Sequence, residues 1–313
     1  MPAGRLIRVK AKLVIILGPT AVGKSELALD LAADVNGEIV NADSQQVYRY
    51  LDIGTGKPSH SERARVPHHL IDVVDPDQEF NAALFRQLAV ASISQIHGRS
   101  RGAIVCGGTG FYLKVLTHGL FVGPGQDASI RDKLDREIVK NGLALLYERL
   151  LKVDPSVQST IHPNDRQRII RALEVYELTG KPLSQWQSEH SFGDDAFEVV
   201  KIGLSRERDD LYERINRRCE RMIQEGLLEE VRGLVGKGYG LDLKPLRSVG
   251  YRQMGAVING VVTLDEALEE MKQETRHLAK RQLTWFRSDA AIRWLHPENQ
   301  RREIFQAVKA FLQ

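Results

Sequence analysis

Cysteine is almost absent: Cys106 and Cys219 are the two in 313 residues. So few, so far apart, exclude a disulfide framework and a zinc cluster built on closely paired ligands. The pair reads as buried apolar filler, and a reducing cytoplasm is the expected compartment. Long apolar runs are also missing. None approaches the roughly 20 residues that cross a bilayer, and the basic stretch Met1 to Lys12 lacks the apolar core and cleavage site of an export signal. No membrane partner is expected. Internal repeats and low-complexity tracts are absent too, which excludes a solenoid. A surplus of one charge is missing as well: 44 Lys and Arg against 41 Asp and Glu leave a net +3, so an acidic partner has to be argued from where the charges lie.

What is present suffices for a sizeable core, with 42% hydrophobic residues in a chain long enough for one large domain or two smaller ones. Lys12 to Gly18 is a short apolar, β-branched run that reads as a buried parallel strand. Lys24 to Val35 carries a helical stripe through Leu27 and Leu31, and Glu38 to Asp43 reads as a second strand. A helix over about Asn81 to His97 and a strand over Ala103 to Cys106 continue the alternation, which predicts a parallel sheet covered by helices on both faces. After Gly123-Pro-Gly125 the character changes. Ile130 to Leu151 and Asn164 to Leu178 are long, charged and helical with no strand between them, so they read as an insertion. Strand composition returns at Val199 to Leu204, followed by long helical patterns over Asp209 to Val235 and Leu264 to Arg287. The expected class is α/β: a P-loop kinase-like core over 1–125 and 192–313, with an all-helical insertion over 126–191.

Gly18-Pro-Thr-Ala-Val-Gly-Lys-Ser25 fits G-x-x-x-x-G-K-[ST] in full and lies between the strand and helix that the motif requires. Gly18, Thr20, Ala21 and Gly23 place backbone amides around an anion, Lys24 adds a charge, and the Ser25 hydroxyl can ligate Mg²⁺. These groups recognise phosphate, and nucleotide kinases, ATPases and GTPases share them. The next strand argues against that company. ATPases and GTPases carry an apolar strand ending in Asp, whereas Ala103-Ile-Val-Cys106 runs into Gly107-Gly-Thr-Gly110. The strand that does end in Asp is the earlier one, and in a parallel sheet its Asp43 opens beside the P-loop. Asp43 could take a proton from an attacking nucleophile; the alternative is a local turn or cap in Asp43-Ser-Gln-Gln46.

With these residues, Gly54-Thr-Gly-Lys-Pro58, Pro67-His-His-Leu-Ile-Asp72 and Gly107-Gly-Thr-Gly-Phe-Tyr112, the chain resembles the tRNA dimethylallyltransferases. Asn164-Asp-Arg-Gln-Arg-Ile-Ile-Arg-Ala-Leu-Glu-Val175, Thr179-Gly-Lys-Pro182, Tyr212-Glu-Arg-Ile-Asn-Arg-Arg218, Gly250-Tyr-Arg-Gln-Met254 and Thr275-Arg-His-Leu-Ala-Lys-Arg-Gln-Leu-Thr-Trp285 look like the family's later motifs. The resemblance implies transfer of a dimethylallyl group from its diphosphate to the exocyclic amine of the adenosine 3′ of the anticodon. It implies that Asp43 is the base, that Thr109 lines the reaction channel, and that Asp43, Ser44, Gln45, Gln46, Thr109, Arg131, Gln167, Arg168, Ile169, Ile170 and Arg171 contact the anticodon arm. Mg²⁺ is the expected cofactor, through Ser25, and a monomer the expected state. No zinc-finger pattern follows Arg287, as in the shorter bacterial members, and Ser248-Val-Gly-Tyr stands where Ile-Gly-Tyr is common.

The arginines can be weighed separately. On the Asp209 to Val235 helix, a 100° step puts Arg218 on the arc of Leu211, Ile215 and Met222, while Arg217 and Arg221 fall outside it. A guanidinium on an apolar face needs an anion, either the diphosphate or a structural carboxylate. Arg276, Lys280 and Arg287 form a basic row beside the stripe of the next long helix, which reads as a solvated face or a nucleic-acid contact. His68 and His69 alternate across a strand and cannot share a metal. Three rivals stay open: a P-loop small-molecule kinase, a prenyl transferase using free adenine nucleotides, and a tRNA-binding module without catalysis.

Overall fold

The computed structural model describes residues 10–120, 123–189 and 196–313. The chain divides into two compact units, Met1–Thr117 with Asp195–Gln313, and His118–Asp194. The first unit is built on six parallel strands: β1 (Ala11–Leu17), β2 (Gly37–Asn41), β3 (His68–His69), β4 (Gly102–Gly107), β5 (Phe197–Leu204) and β6 (Ile292–Leu295), in the order β3-β2-β4-β1-β5-β6. β1 is central, and Leu13 to Ile16 are wholly buried on both of its faces, which is why the run shows no polar alternation. The chain leaves β1 for β2 on one side and later pairs β5 on the other. The loop after β1 therefore opens at the point where the connections diverge, where open α/β sheets bind ligands.

The α/β expectation holds, and the long helix over Leu264–Arg287 begins and ends as read, with Thr263 as its N-cap. Two other helical runs are broken. Ile130 to Leu151 is two helices, Ala128–Asn141 and Leu143–Val153, divided at Gly142 with φ 83°, and Asp209 to Val235 divides at Gly226, φ 98°, into Arg208–Gln224 and Leu227–Gly236. A left-handed glycine ends a helix wherever apolar periodicity continues on the far side. The two-residue β3 and four-residue β6 are too short to carry a periodic signal.

The helical unit has its own core, formed by Leu134, Leu146, Leu150, Val157, Ile161, Ile169, Ile170, Ala172 and Leu173. Glu174 is fully buried beside it and accepts hydrogen bonds from Arg131 Nε at 2.8 Å, Arg171 Nη1 at 2.7 Å and the Asp127 amide at 2.8 Å. A buried carboxylate with fewer partners would cost several kcal/mol. At the amino edge of the sheet, Glu38 is 2% exposed and is held by Arg99, Arg101 and His69. That assigns His69 to the scaffold. Among the described residues no helix is long and apolar enough to cross a membrane.

Candidate active site

The P-loop opens into a cleft of about 510 Å³ within the first unit, lined by Thr20, Ala21, Gly23, Lys24 and Ser25 on one side and Asp43, Gln45 and Gln46 on another. Gln282 holds the loop from the long helix: its Oε1 accepts from the Thr20 amide at 2.8 Å and its Nε2 donates to the Gly108 carbonyl at 3.0 Å. A Cβ at Gly108 would lie 2.4 Å from that nitrogen, so a side chain there would break the tie. Lys24 donates to the Pro19 carbonyl at 2.7 Å, which folds the ammonium over the loop. Burial pulls its pKa down from the usual lysine range to about 8, opposed by Cys106 and Asp43 and assisted by Arg218. The Ser25 hydroxyl is exposed at the start of the helix.

Asp43 lies two residues past β2, and its two oxygens differ. Oδ1 accepts from the amides of Gln45 at 2.8 Å and Gln46 at 3.4 Å, closing a local turn. No partner engages Oδ2 among the described residues. The turn and the catalytic reading are thus compatible, one oxygen for each. Thr109 Oγ1 accepts from the Ser44 amide at 3.0 Å, and the Thr109 amide donates to the Ala42 carbonyl. Thr109 therefore ties the β4 turn to the Asp43 turn. Gln45 Oε1 is buried without a hydrogen-bond partner, an acceptor open to a donor.

The cations decide the character of the cleft. Arg218 enters it from the Arg208–Gln224 helix, whose buried arc is Leu211, Ile215, Cys219 and Met222. Its Nη2 donates to the Thr55 carbonyl at 3.1 Å, and no carboxylate pairs with it among the described residues. Burial lowers its pKa, opposed by the Asp43 carboxylate. The structural-carboxylate alternative for Arg218 thereby falls. Arg217 and Arg221 are exposed and lie outside the buried arc, as expected, yet with Arg214 they line the same cleft. The face toward a ligand is wider than the buried arc, because long arginines reach around the helix. Arg214 Nε also donates to the Ala21 carbonyl at 3.1 Å. Sequence reasoning missed Arg214 and Gln282, which sit in quoted motifs but gain meaning only from contacts 193 and 262 residues away.

Comparison with known proteins agrees with this arrangement. The family model described as IPP transferase matches residues 46–289. The chain belongs to the IPP transferase family. A tRNA dimethylallyltransferase from Geobacter sulfurreducens is 54% identical over 291 residues, covering 93% of this chain and 94% of that one. A second from Syntrophobacter fumaroxidans is 51% identical over 92% of this chain and 84% of its own length. Among solved structures, the full-length tRNA isopentenylpyrophosphate transferase of Bacillus halodurans superposes with TM-score 0.72 at 40% identity, over 97% of each chain. A eukaryotic dimethylallyltransferase captured acting on tRNA gives 0.77 at 30% identity, over 96% of this chain and 77% of that one.

In this IPP transferase the remaining expected contacts lie on the helical unit. Gln167 and Arg168 are exposed on the first turn of the Arg166–Thr179 helix, whose N-cap Asp165 accepts from the Arg168 amide and pairs with the Arg168 guanidinium. Arg131 and Arg171 are part-exposed and tied to Glu174. Ile169 and Ile170 are different: at 0% and 7% exposure their side chains belong to the unit's core, which leaves only their backbone for a contact with tRNA. Steps of 100° per residue along the helix turn Ile169 and Ile170 away from the exposed Arg168 and into the core. In the basic row, Arg276 donates to Asn216 at 2.8 Å, while Lys280 and Arg287 are exposed. For a metal, no cluster of three or more His, Cys, Asp or Glu exists among the described residues. The donor set fits Mg²⁺ all the same. That ion retains waters and takes one or two protein oxygens beside a substrate's phosphates, and Ser25 has an uncommitted hydroxyl in the cleft.

Proposed function

We propose that this IPP transferase is a tRNA dimethylallyltransferase that alkylates the exocyclic amine of the adenosine next to the anticodon on its 3′ side. The observation that carries the reading is Arg218, a guanidinium in the P-loop cleft with no carboxylate partner among the described residues, beside Lys24 and opposite Asp43. A cation left unpaired in a partly desolvated cleft is stabilised by an anionic ligand. The carbon–oxygen bond of dimethylallyl diphosphate breaks with its electrons going to the diphosphate, a bond forms from the adenine N6 to that carbon, and the N6 proton passes to Asp43. Asp43 Oδ2 is the receiving atom, since Oδ1 is held by the turn. The P-loop amides, Lys24 and Arg218 neutralise charge growing on the leaving diphosphate. Mg²⁺, held through Ser25 and diphosphate oxygens, would add Lewis-acid stabilisation of the leaving group.

An adenine within the anticodon arm is stacked, so the target base flips out to reach the cleft, at a cost of a few kcal/mol offset by contacts inside. Gln45 Oε1 is one waiting acceptor. The helical unit grips the arm through Gln167 and Arg168, with Arg131 and Arg171 presented by Glu174; phosphate contacts of this kind fix register without reading bases. A small-molecule kinase is disfavoured because β4 ends in glycines rather than a metal-binding Asp, and a free-nucleotide acceptor would leave the helical unit without use.

The test is Asp43→Asn, which keeps an oxygen for the Gln45 and Gln46 amides but cannot take the proton. With labelled dimethylallyl diphosphate and tRNA, transfer should fall about 10²–10⁴-fold while tRNA binding holds. Transfer at the native rate would remove Asp43 as the base, and label on AMP rather than tRNA would overturn the acceptor.

A further inference from the structure

Glu230, in the first turn of the Leu227–Gly236 helix, commits both carboxylate oxygens to a loop that borders the cleft. Oε2 accepts from the amides of Asp52 at 3.0 Å and Ile53 at 2.7 Å; Oε1 accepts from the Gly54 amide at 3.3 Å and the Tyr251 hydroxyl at 2.6 Å. Three successive amides around one anion make a nest of the kind that binds free anions, here occupied by the protein's own side chain. The clamp is close-packed: Tyr251 is 1% exposed, and a Cβ at Gly54 would lie 2.5 Å from its ring.

The far end of the same loop faces the ligand. The Thr55 carbonyl accepts from Arg218 Nη2 at 3.1 Å and from Gln46 Nε2 at 3.2 Å, and the Gly56 carbonyl accepts from Gln46 Nε2 at 3.1 Å. Gly56 has φ 62°, and a Cβ there would lie 2.5 Å from Arg218 Nη2, so the guanidinium rests directly on the loop backbone. Two internal bonds keep the loop from relaxing between its ends: Thr55 Oγ1 to the Leu51 carbonyl at 2.6 Å and the Gly56 amide to the Ile53 carbonyl at 3.0 Å.

Aiming an arginine is ordinarily done by a carboxylate, which also neutralises it. A leaving-group site needs the direction without the neutralisation. We propose that Glu230 is a positioning residue for the diphosphate end of the reaction: it fixes the Asp52 to Gly56 loop, whose neutral Thr55 carbonyl aims Arg218 into the cleft with its charge unspent. This rests on the reading of the cleft as a diphosphate site. The carboxylate acts at a distance through backbone, and its own charge is absorbed by three amides and a phenol instead of by the arginine.

The experiment is titration of the full chain with inorganic diphosphate in the presence of Mg²⁺, together with steady-state kinetics. Glu230→Gln presents an amide NH₂ to backbone N–H groups and should weaken inorganic diphosphate about tenfold. It should raise KM for dimethylallyl diphosphate similarly and leave KM for tRNA unchanged. In an Arg218→Met background the same substitution should add no further loss. Tyr251→Phe removes one of the four bonds and should give a smaller loss with the same dependence on Arg218, which keeps the test alive if Glu230→Gln does not fold. Unchanged diphosphate binding in both variants, or an equal loss with and without Arg218, overturns the proposal while leaving the diphosphate site intact. Failure of the wild-type protein to bind inorganic diphosphate overturns the site itself, and the proposal with it.

Discussion

Arg218→Met should make the ligand-free protein no less stable while it damages diphosphate binding, a pair of effects of opposite sign from one atom group. In the free protein the guanidinium has one hydrogen bond among the described residues, to Thr55, for five N–H donors, and burial lowers its pKa. Methionine keeps the apolar stem against the Leu211, Ile215 and Met222 side of the helix and removes the desolvated charge. Losing the Thr55 bond costs about 1 kcal/mol, and removing an unpaired, partly desolvated cation returns about 1–2 kcal/mol. The net is between zero and about +1 kcal/mol, which for a unit of this size is a rise in Tm of up to about 4 °C. With diphosphate present the balance reverses. A hydrogen bond between charged groups contributes about 1.5–3 kcal/mol, so affinity should fall about 10- to 150-fold and most of the ligand-induced rise in Tm should vanish. Differential scanning fluorimetry with and without inorganic diphosphate reads both halves. A variant that melts several degrees lower without ligand, yet keeps the full ligand-induced rise, would refute the assignment, because Arg218 would then be a structural residue.

Two further outcomes follow from the same geometry. Lys24 titrates near 8 in the fold and in the usual lysine range when unfolded; between those values the unfolded chain holds one more proton, so Lys24 makes the ligand-free protein more stable as pH rises through that window. Diphosphate affinity should move the other way, dropping up to tenfold per unit above pH 8, and Lys24→Arg, which stays charged, should flatten that Lys24 component; a slope unchanged in this variant would rule out the lysine as its source. In the helical unit, Leu150→Ala opens a cavity at a wholly buried position and should cost about 2–5 kcal/mol. Because that core is separate, tRNA modification should fail with heat well before diphosphate binding does, and simultaneous loss of both would show that the units do not melt independently.

The P-loop, the parallel sheet and the helical unit were legible because each rests on local pattern: an eight-residue motif between strand and helix, β-branched runs, and apolar spacing at helical period. Helix ends at Gly142 and Gly226 were not, since periodicity continues past both and only a left-handed φ stops the helix. Asp43 could be found from its place after a strand, but the division of labour between its oxygens depends on where the Gln45 and Gln46 amides point. Ile169 and Ile170 entered with Arg168 and Arg171 as one motif, and a motif carries no record of which face each member takes. Gln282, Arg214 and Glu230 were out of reach for a different reason. Their partners are separated by 262, 193 and up to 178 residues, and nothing in a single chain announces that a carboxylate or amide will meet a particular stretch of backbone.

Arg206 and Arg218 show how the fold distinguishes support from reception. Arg206 is 4% exposed in its side chain, is paired with Asp210 at 3.0 Å and with Glu298, and donates from Nε to the Val22 carbonyl at 3.0 Å. Two carboxylates outweigh the burial penalty and raise its pKa, so it braces the P-loop at no cost in uncompensated charge. Arg218, twelve residues on in the next helix, faces the cleft with a carbonyl where Arg206 has two carboxylates. Replacing that carbonyl's influence by a nearby Glu would hold the guanidinium as well and stabilise the free protein more. It would also cancel the charge that the departing diphosphate has to meet. Leaving one arginine unpaired, and pinning it through neutral backbone, keeps the penalty in the free protein and releases it when the anion binds, which is where a transferase gains from it.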